Sequence, residues 1–223
     1  MNKFYCHSIC FLFTLLCLLF PLEQFAQSMF GNGAGVARPT VEMIILNHGD
    51  LKAIKDVTQF NLVFDYSGMR VSFFKTEEEF MTNKEKELSA KGPEKVEIWK
   101  TGWINAKKEK YPPAFERNLN KVIAKRNMKA TLNADSSKYT LMVKTLFIEP
   151  GLYYGLGYQN SYVSFKYEFY QTGNPEPLLT LIEDNVNGRY DGPSFAEARI
   201  AGGYSNAGRL LGNYILKALK DKK

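Results

Sequence analysis

The feature that most constrains this chain is a change of hydrophobic period. Apolar residues recur at helical spacing from Thr76 to Asn127, alternate or run together as in strands from Lys138 to Asn187, and return to helical spacing from Ser194 to Lys220. A chain that changes period in this way separates its helices from most of its strands. That pattern predicts an α+β fold: a mostly antiparallel sheet of about five strands, with helices packed on one face and a long C-terminal helix.

The elements follow from local chemistry. Strands are expected over Val41–Leu46 and Gln59–Tyr66. In the second, Phe60, Leu62, Phe64 and Tyr66 share one face. Asn47-His48-Gly49-Asp50 reads as a turn. Thr76 followed by Glu79 is a capping box that opens a helix, and Gly92-Pro93 closes it at Lys91. A second helix runs from Pro93 to about Lys110 with Val96, Trp99 and Trp103 on one stripe. A third starts at Pro112-Pro113 and reaches about Asn127. Lys138–Glu149 is apolar on both faces and reads as a central strand. Ser161–Thr172 and Leu178–Asn187 form a hairpin across Gly173-Asn174-Pro175. A second capping box, Ser194 with Glu197, opens the final helix. One face of that helix is apolar. Another carries only small residues: Ala198, Ala201, Ser205, Gly208 and Gly212. Glycine costs a helix about 1 kcal/mol relative to alanine, so these positions need a compensating close approach. Packing on the sheet is the structural expectation; a homo-oligomer joined through Gly208 and Gly212 is the alternative.

Residues 1–28 have the three parts of a secretory signal peptide: Lys3, an apolar run from Ile9 to Phe20, and Ala26-Gln27-Ser28 at a cleavage spacing. The apolar run is shorter than the roughly 20 residues that span a bilayer, so no membrane span is expected in the mature chain. Residues 29–40 read as a flexible lead-in, and 41–223 as a single α+β domain. The three cysteines, Cys6, Cys10 and Cys17, all fall inside the signal. Cys17 follows Leu15-Leu16 and so lacks the small residue that lipid attachment wants. The mature protein, expected in the periplasm or outside a bacterial cell, would therefore hold its fold without disulfides.

That inventory excludes much chemistry. With no cysteine and His48 as the one histidine after the signal, zinc sites of Cys and His cannot form, and a cysteine nucleophile is absent. A serine triad would need His48, and there is no G-x-S-x-G elbow to pair with it. No phosphate-binding glycine loop lies between a strand and a helix, so no cofactor and no metal is implied. The formal charge of +6 comes without a nucleic-acid-binding motif. It reads as a solvated surface with some attraction to anionic envelope polymers, and no nucleic-acid partner is expected.

Two kinds of site remain open. Carboxylate chemistry would use Asp65 and Glu149, each on or at the end of a predicted strand, with Asp184 third. The plainer reading leaves them as outward polar residues. The segment EPGLYYGLGYQNSY places Tyr153, Tyr154, Tyr158 and Tyr162 among Gly151, Gly155 and Gly157. Tyrosine joins a large contact area to a polar tip, which suits a protein or glycan interface; the alternative is a long hairpin whose tyrosines cover the sheet edge.

Three runs, NLVFDYSGMRV, KYTLMVKTLFIEPG and AEARIAGGYSNAGRLLGNYILKAL, carry a further likeness. In them the chain resembles exported bacterial envelope proteins of unknown-function families, related to small envelope lipoproteins. The resemblance implies an antiparallel sheet with a long terminal helix, an envelope location and a non-enzymatic role; it implies no substrate or site residues. The leading expectation is a non-catalytic envelope protein that binds a protein or glycan partner. The alternatives are a carboxylate-dependent hydrolase of envelope glycans and an oligomeric structural or assembly subunit.

Overall fold

The computed structural model describes residues 43–153, 158–188 and 195–220. The expected signal peptide and lead-in lie outside them. The strands are β1 (Met43–Gly49), β2 (Gln59–Asp65), β3 (Arg70–Val71), β4 (Lys129–Leu132), β5 (Tyr139–Glu149), β6 (Leu152–Tyr153), β7 (Tyr158–Gln159), β8 (Tyr162–Gln171) and β9 (Leu179–Asn187). The helices are α1 (Glu77–Ser89), α2 (Pro93–Glu109), α3 (Tyr111–Ile123) and α4 (Ala196–Ala218), with single 3₁₀ turns at Leu51–Ile54 and Ala124–Arg126.

The main sheet has seven strands. Its order is β1-β9-β8-β5-β2-β4, and β3 pairs with the far end of β5. It is mixed, which corrects the expectation of a mostly antiparallel sheet of about five strands. β1, β9, β8 and β5 are antiparallel neighbours, whereas β2 runs parallel to both β4 and β5, and β3 parallel to β5. The physical reason is the three-helix segment after β2. It returns the chain to the starting end of the sheet, and a strand that follows such a crossover pairs in parallel. β4, only four residues long, gave no readable period of its own.

β4 and β5 flank β2 on opposite sides, so the short segment between them must cross β2. Asn61 holds that crossing: its Oδ1 accepts from Ala134 N at 2.9 Å, and its Nδ2 donates to Asp135 at 3.3 Å. Ser137 Oγ donates to Gln59 O at 3.1 Å. The strap explains why a polar residue on the sheet's outer face is buried, with 7% of its surface exposed.

The inner face follows the period of two. Leu141 and Val143 of β5, Phe165, Tyr167 and Phe169 of β8, and Leu179 and Leu181 of β9 are buried beneath α3 and α4. Phe115 of α3 sits at the centre, with ring centroids 5.6 Å from Phe64, 5.9 Å from Tyr167 and 6.4 Å from Phe165. Tyr204 of α4 stacks on Tyr111 at 4.8 Å and shares a 2.5 Å hydrogen bond with Thr145 of β5. Each such ring removes a large apolar area from water, worth roughly 1.5–3 kcal/mol.

Thr76 caps α1 as its sequence predicts, accepting from Glu79 N at 3.2 Å, while the Glu79 carboxylate accepts from Lys75 N at 3.0 Å. At α4 the expectation fails in part. Ser194 lies outside the described residues, the capping position is Phe195, and Glu197 turns inward against α2, where a Cβ on Gly102 would stand 3.4 Å from its carboxylate. The small-residue stripe of α4 faces α3 rather than the sheet. Ser205 Oγ accepts from Asn118 Nδ2 at 2.8 Å. A Cβ on Gly208 would stand 2.4 Å from Phe115 O, and one on Gly212 would stand 2.7 Å from Val122 Cβ. Both glycines are buried within the chain, so they are not a surface for a second copy. The expected oligomer contact through Gly208 and Gly212 is corrected on that ground.

Candidate functional site

The tyrosine-rich segment connects β5 to β8 and forms its own two-stranded ribbon, β6 with β7. In its register Leu152 faces Gln159, and Tyr153 faces Tyr158. Tyr154 lies outside the described residues. Tyr162 begins β8, half-buried, between Glu149 of β5 and Asn187 of β9.

The base of the ribbon is fixed from the helix side. Arg199, in the first turns of α4, donates from Nε and Nη2 to Pro150 O at 3.3 and 3.1 Å, and from Nη2 to Gly151 O at 3.2 Å. Burial pushes its guanidinium below its ordinary value, and the Glu197 carboxylate opposes that shift. Gly151 has φ +70°, and a Cβ there would lie 2.3 Å from Gln159 O. Only glycine fits that approach without strain. On the returning side, Ser161 is wholly buried; its carbonyl accepts from Gly188 N at 2.9 Å, and its Oγ donates to Gly188 O at 3.3 Å. Leu152, at the root of the ribbon, is 48% exposed. The described part of the segment thus stands on a footing fixed from both layers, and recognition loops are commonly carried on such rigid supports.

The carboxylates do not form a pair. Asp65 stands opposite Lys144 in the β2–β5 register, and Glu149 lies five residues further along β5. At about 3.3 Å per residue that is roughly 17 Å. The two-carboxylate mechanism needs about 5–10 Å. Asp65 is engaged locally: it accepts from Ser67 N at 2.8 Å and Ser67 Oγ at 2.9 Å, and meets Lys144 Nζ at 3.1 Å. Partial burial pushes its carboxyl up, and the Ser67 bonds with the Lys144 ammonium more than reverse that push, holding it below the ordinary 3.8. A carboxyl-detected NMR titration is expected to place Asp65 below that value, and a midpoint above it would show that these bonds do not form in solution. Glu149 Oε1 accepts from Gly151 N at 3.4 Å. Asp184 accepts from Ser164 Oγ, and from Asn185 N at 3.0 Å. His48 is on β1 opposite Thr180, not in a turn. Among the described residues no group of three or more His, Cys, Asp or Glu side chains could hold a metal ion, and no helix is long and apolar enough to cross a membrane.

The sequence reading missed Arg199, a lone cation in an alanine-rich helix start with no motif around it. It also missed Glu183, which is wholly buried and accepts from the Tyr167 hydroxyl beneath the helices. That one had a signal. Strict alternation from Leu179 through Leu181 puts Glu183 on the inner face.

No family model matches the chain, and no curated protein matches it. Among solved structures, it is similar to PelC dodecamers from Paraburkholderia phytofirmans in two crystal forms. One aligns at 10% identity with a TM-score of 0.36, the other at 8% identity with a TM-score of 0.37; each alignment covers 82% of this chain and 100% of the PelC chain.

Proposed function

We propose that the protein is a non-catalytic, exported envelope protein that binds a protein or glycan partner through the β6–β7 ribbon. The observation that carries this reading is the grip of buried Arg199 on Pro150 O and Gly151 O. A long aromatic hairpin that only covered a sheet edge would not need its root tied to a helix on the other layer. Binding through a segment whose root is already fixed loses less conformational entropy, so affinity is gained without added area. The spacing of Asp65 and Glu149 lends no support to a two-carboxylate hydrolase.

The test is a triple variant, Tyr153→Ala, Tyr154→Ala and Tyr158→Ala. It is expected to unfold at the same temperature as the parent, to lose retention on an array of envelope glycans, and to lose co-purification with the native envelope. Retention on the array identifies a glycan; co-purification without array binding identifies a protein. Undiminished binding by the variant on both readouts, or a large drop in its unfolding temperature, would reject the ribbon as a recognition surface.

A further inference from the structure

The two edges of the main sheet are treated very differently. At the β4 edge, α3 side chains occupy the outward backbone groups. Asn120 accepts from Ala130 N at 2.8 Å and donates to Ala130 O at 2.7 Å, and Glu116 accepts from Leu132 N at 3.2 Å. That edge is short and sealed. At the opposite edge, β1 runs for seven residues. Among the described residues, none outside the ladder with β9 hydrogen-bonds to it. It contains no proline and no Asp, Glu, Lys or Arg. It offers an apolar side chain on each face: Ile45, on the outer face, is 47% exposed, and Leu46, on the helix side, is 43% exposed. Folded proteins usually guard such an edge with charge, proline or a covering element. Among the described residues nothing guards this one from Ile44 to Leu46, before the irregularity at Asn47.

We infer that β1 pairs with β1 of a second copy of this chain, antiparallel about a twofold axis. The chemistry selects that occupant. A twofold axis sets each residue of the segment against another residue of the same segment. Here every such encounter is apolar against apolar or against Asn47, with no like charges opposed. A charged peptide would find no counter-charge on this edge. The pairing joins the two sheets edge to edge with Ile45 on the axis and puts both helix layers on one side, so that Leu46 of each copy covers Ile44 of the other. It involves neither the tyrosine ribbon nor the buried glycines of α4.

The test is the mass of the protein in solution. Sedimentation of the chain, purified in the form in which the cell keeps it, is expected to give twice the monomer mass. Ile45→Lys and Leu46→Lys, placed on opposite faces of the strand at half-exposed positions, are each expected to return the monomer mass with unchanged circular dichroism. A third variant, Ile45→Cys with Cys6→Ala, Cys10→Ala and Cys17→Ala, places one thiol on the axis and leaves no other. It is expected to form a covalent dimer on mild oxidation. A wild-type monomer at millimolar concentration overturns the inference, as would be seen if another segment of the chain covered the edge. So does a dimer that keeps its mass with either lysine, or one that does not cross-link through the single thiol.

Discussion

Replacing Gly208 with leucine is expected to cost about 3 kcal/mol or more of folding stability, at the upper end of overpacking effects. Gly208→Ala is expected to cost about 2 kcal/mol by the same mechanism. The alanine variant is the more telling of the two. On an exposed helix, glycine to alanine stabilises by about 1 kcal/mol, because the unfolded backbone loses freedom. At Gly208 the sign should reverse. The added methyl would meet Phe115 O at 2.4 Å and Leu119 N at 3.0 Å. Both are backbone atoms in the middle of α3, and neither can move without moving that helix. Phe115 also anchors the aromatic core, so pushing α3 away loosens its contacts with Phe64, Phe165 and Tyr167. Urea denaturation gives both values. A neutral or stabilising Gly208→Ala would show that α3 and α4 are farther apart than described.

The same pair of helices shows what the sequence can and cannot convey. The stripe of small residues announced a close approach, and there is one. It did not say what approaches, because a sheet and a helix ask the same thing of that face. Period and capping placed α1, α2, β5, β8, β9 and the body of α4, all of them long segments with one buried face or a clear punctuation. β3 and β4, with two and four residues, are too short for a period to show. They exist because β5 and β2 offer free edges to pair with. The parallel pairing was hidden for a related reason, since direction is a property of the path between strands and not of the strands. The site was less legible. The tyrosines stood out by composition, but Arg199, which fixes their footing, makes its contacts 48 and 49 residues away in sequence. Asp65 and Glu149 looked equivalent because strand ends resemble one another until register is known.

α1 poses a different question, since none of its 13 residues is buried. A helix with no buried residue gains little from tertiary packing, and one this short is marginal by itself in water. Its attachment runs through Trp103. The Phe80 ring lies 5.0 Å from the Trp103 ring and 5.9 Å from Trp99. Glu77, in the first turn of α1, accepts from Trp103 Nε1 at 2.6 Å and from Lys107 Nζ at 2.5 Å on the same carboxylate oxygen. The indole thus supplies both the apolar surface that α1 covers and the neutral donor that holds its first turn. Trp103→Ala is expected to cost about 3–5 kcal/mol, the usual range for emptying a buried tryptophan site. Trp103→Phe keeps a ring but removes the N–H, and should cost about 1.5–3 kcal/mol, since the lost partner is a carboxylate. The two effects separate by location. In Trp103→Ala the amides of residues 77–89 should exchange with solvent far faster than those of β5 and β8, because the sheet keeps its own core while α1 loses its fastening. Hydrogen exchange resolved by segment reads this directly. If α1 stays as protected as in the parent while global stability falls, then Trp103 serves the core alone and α1 is held by some other contact.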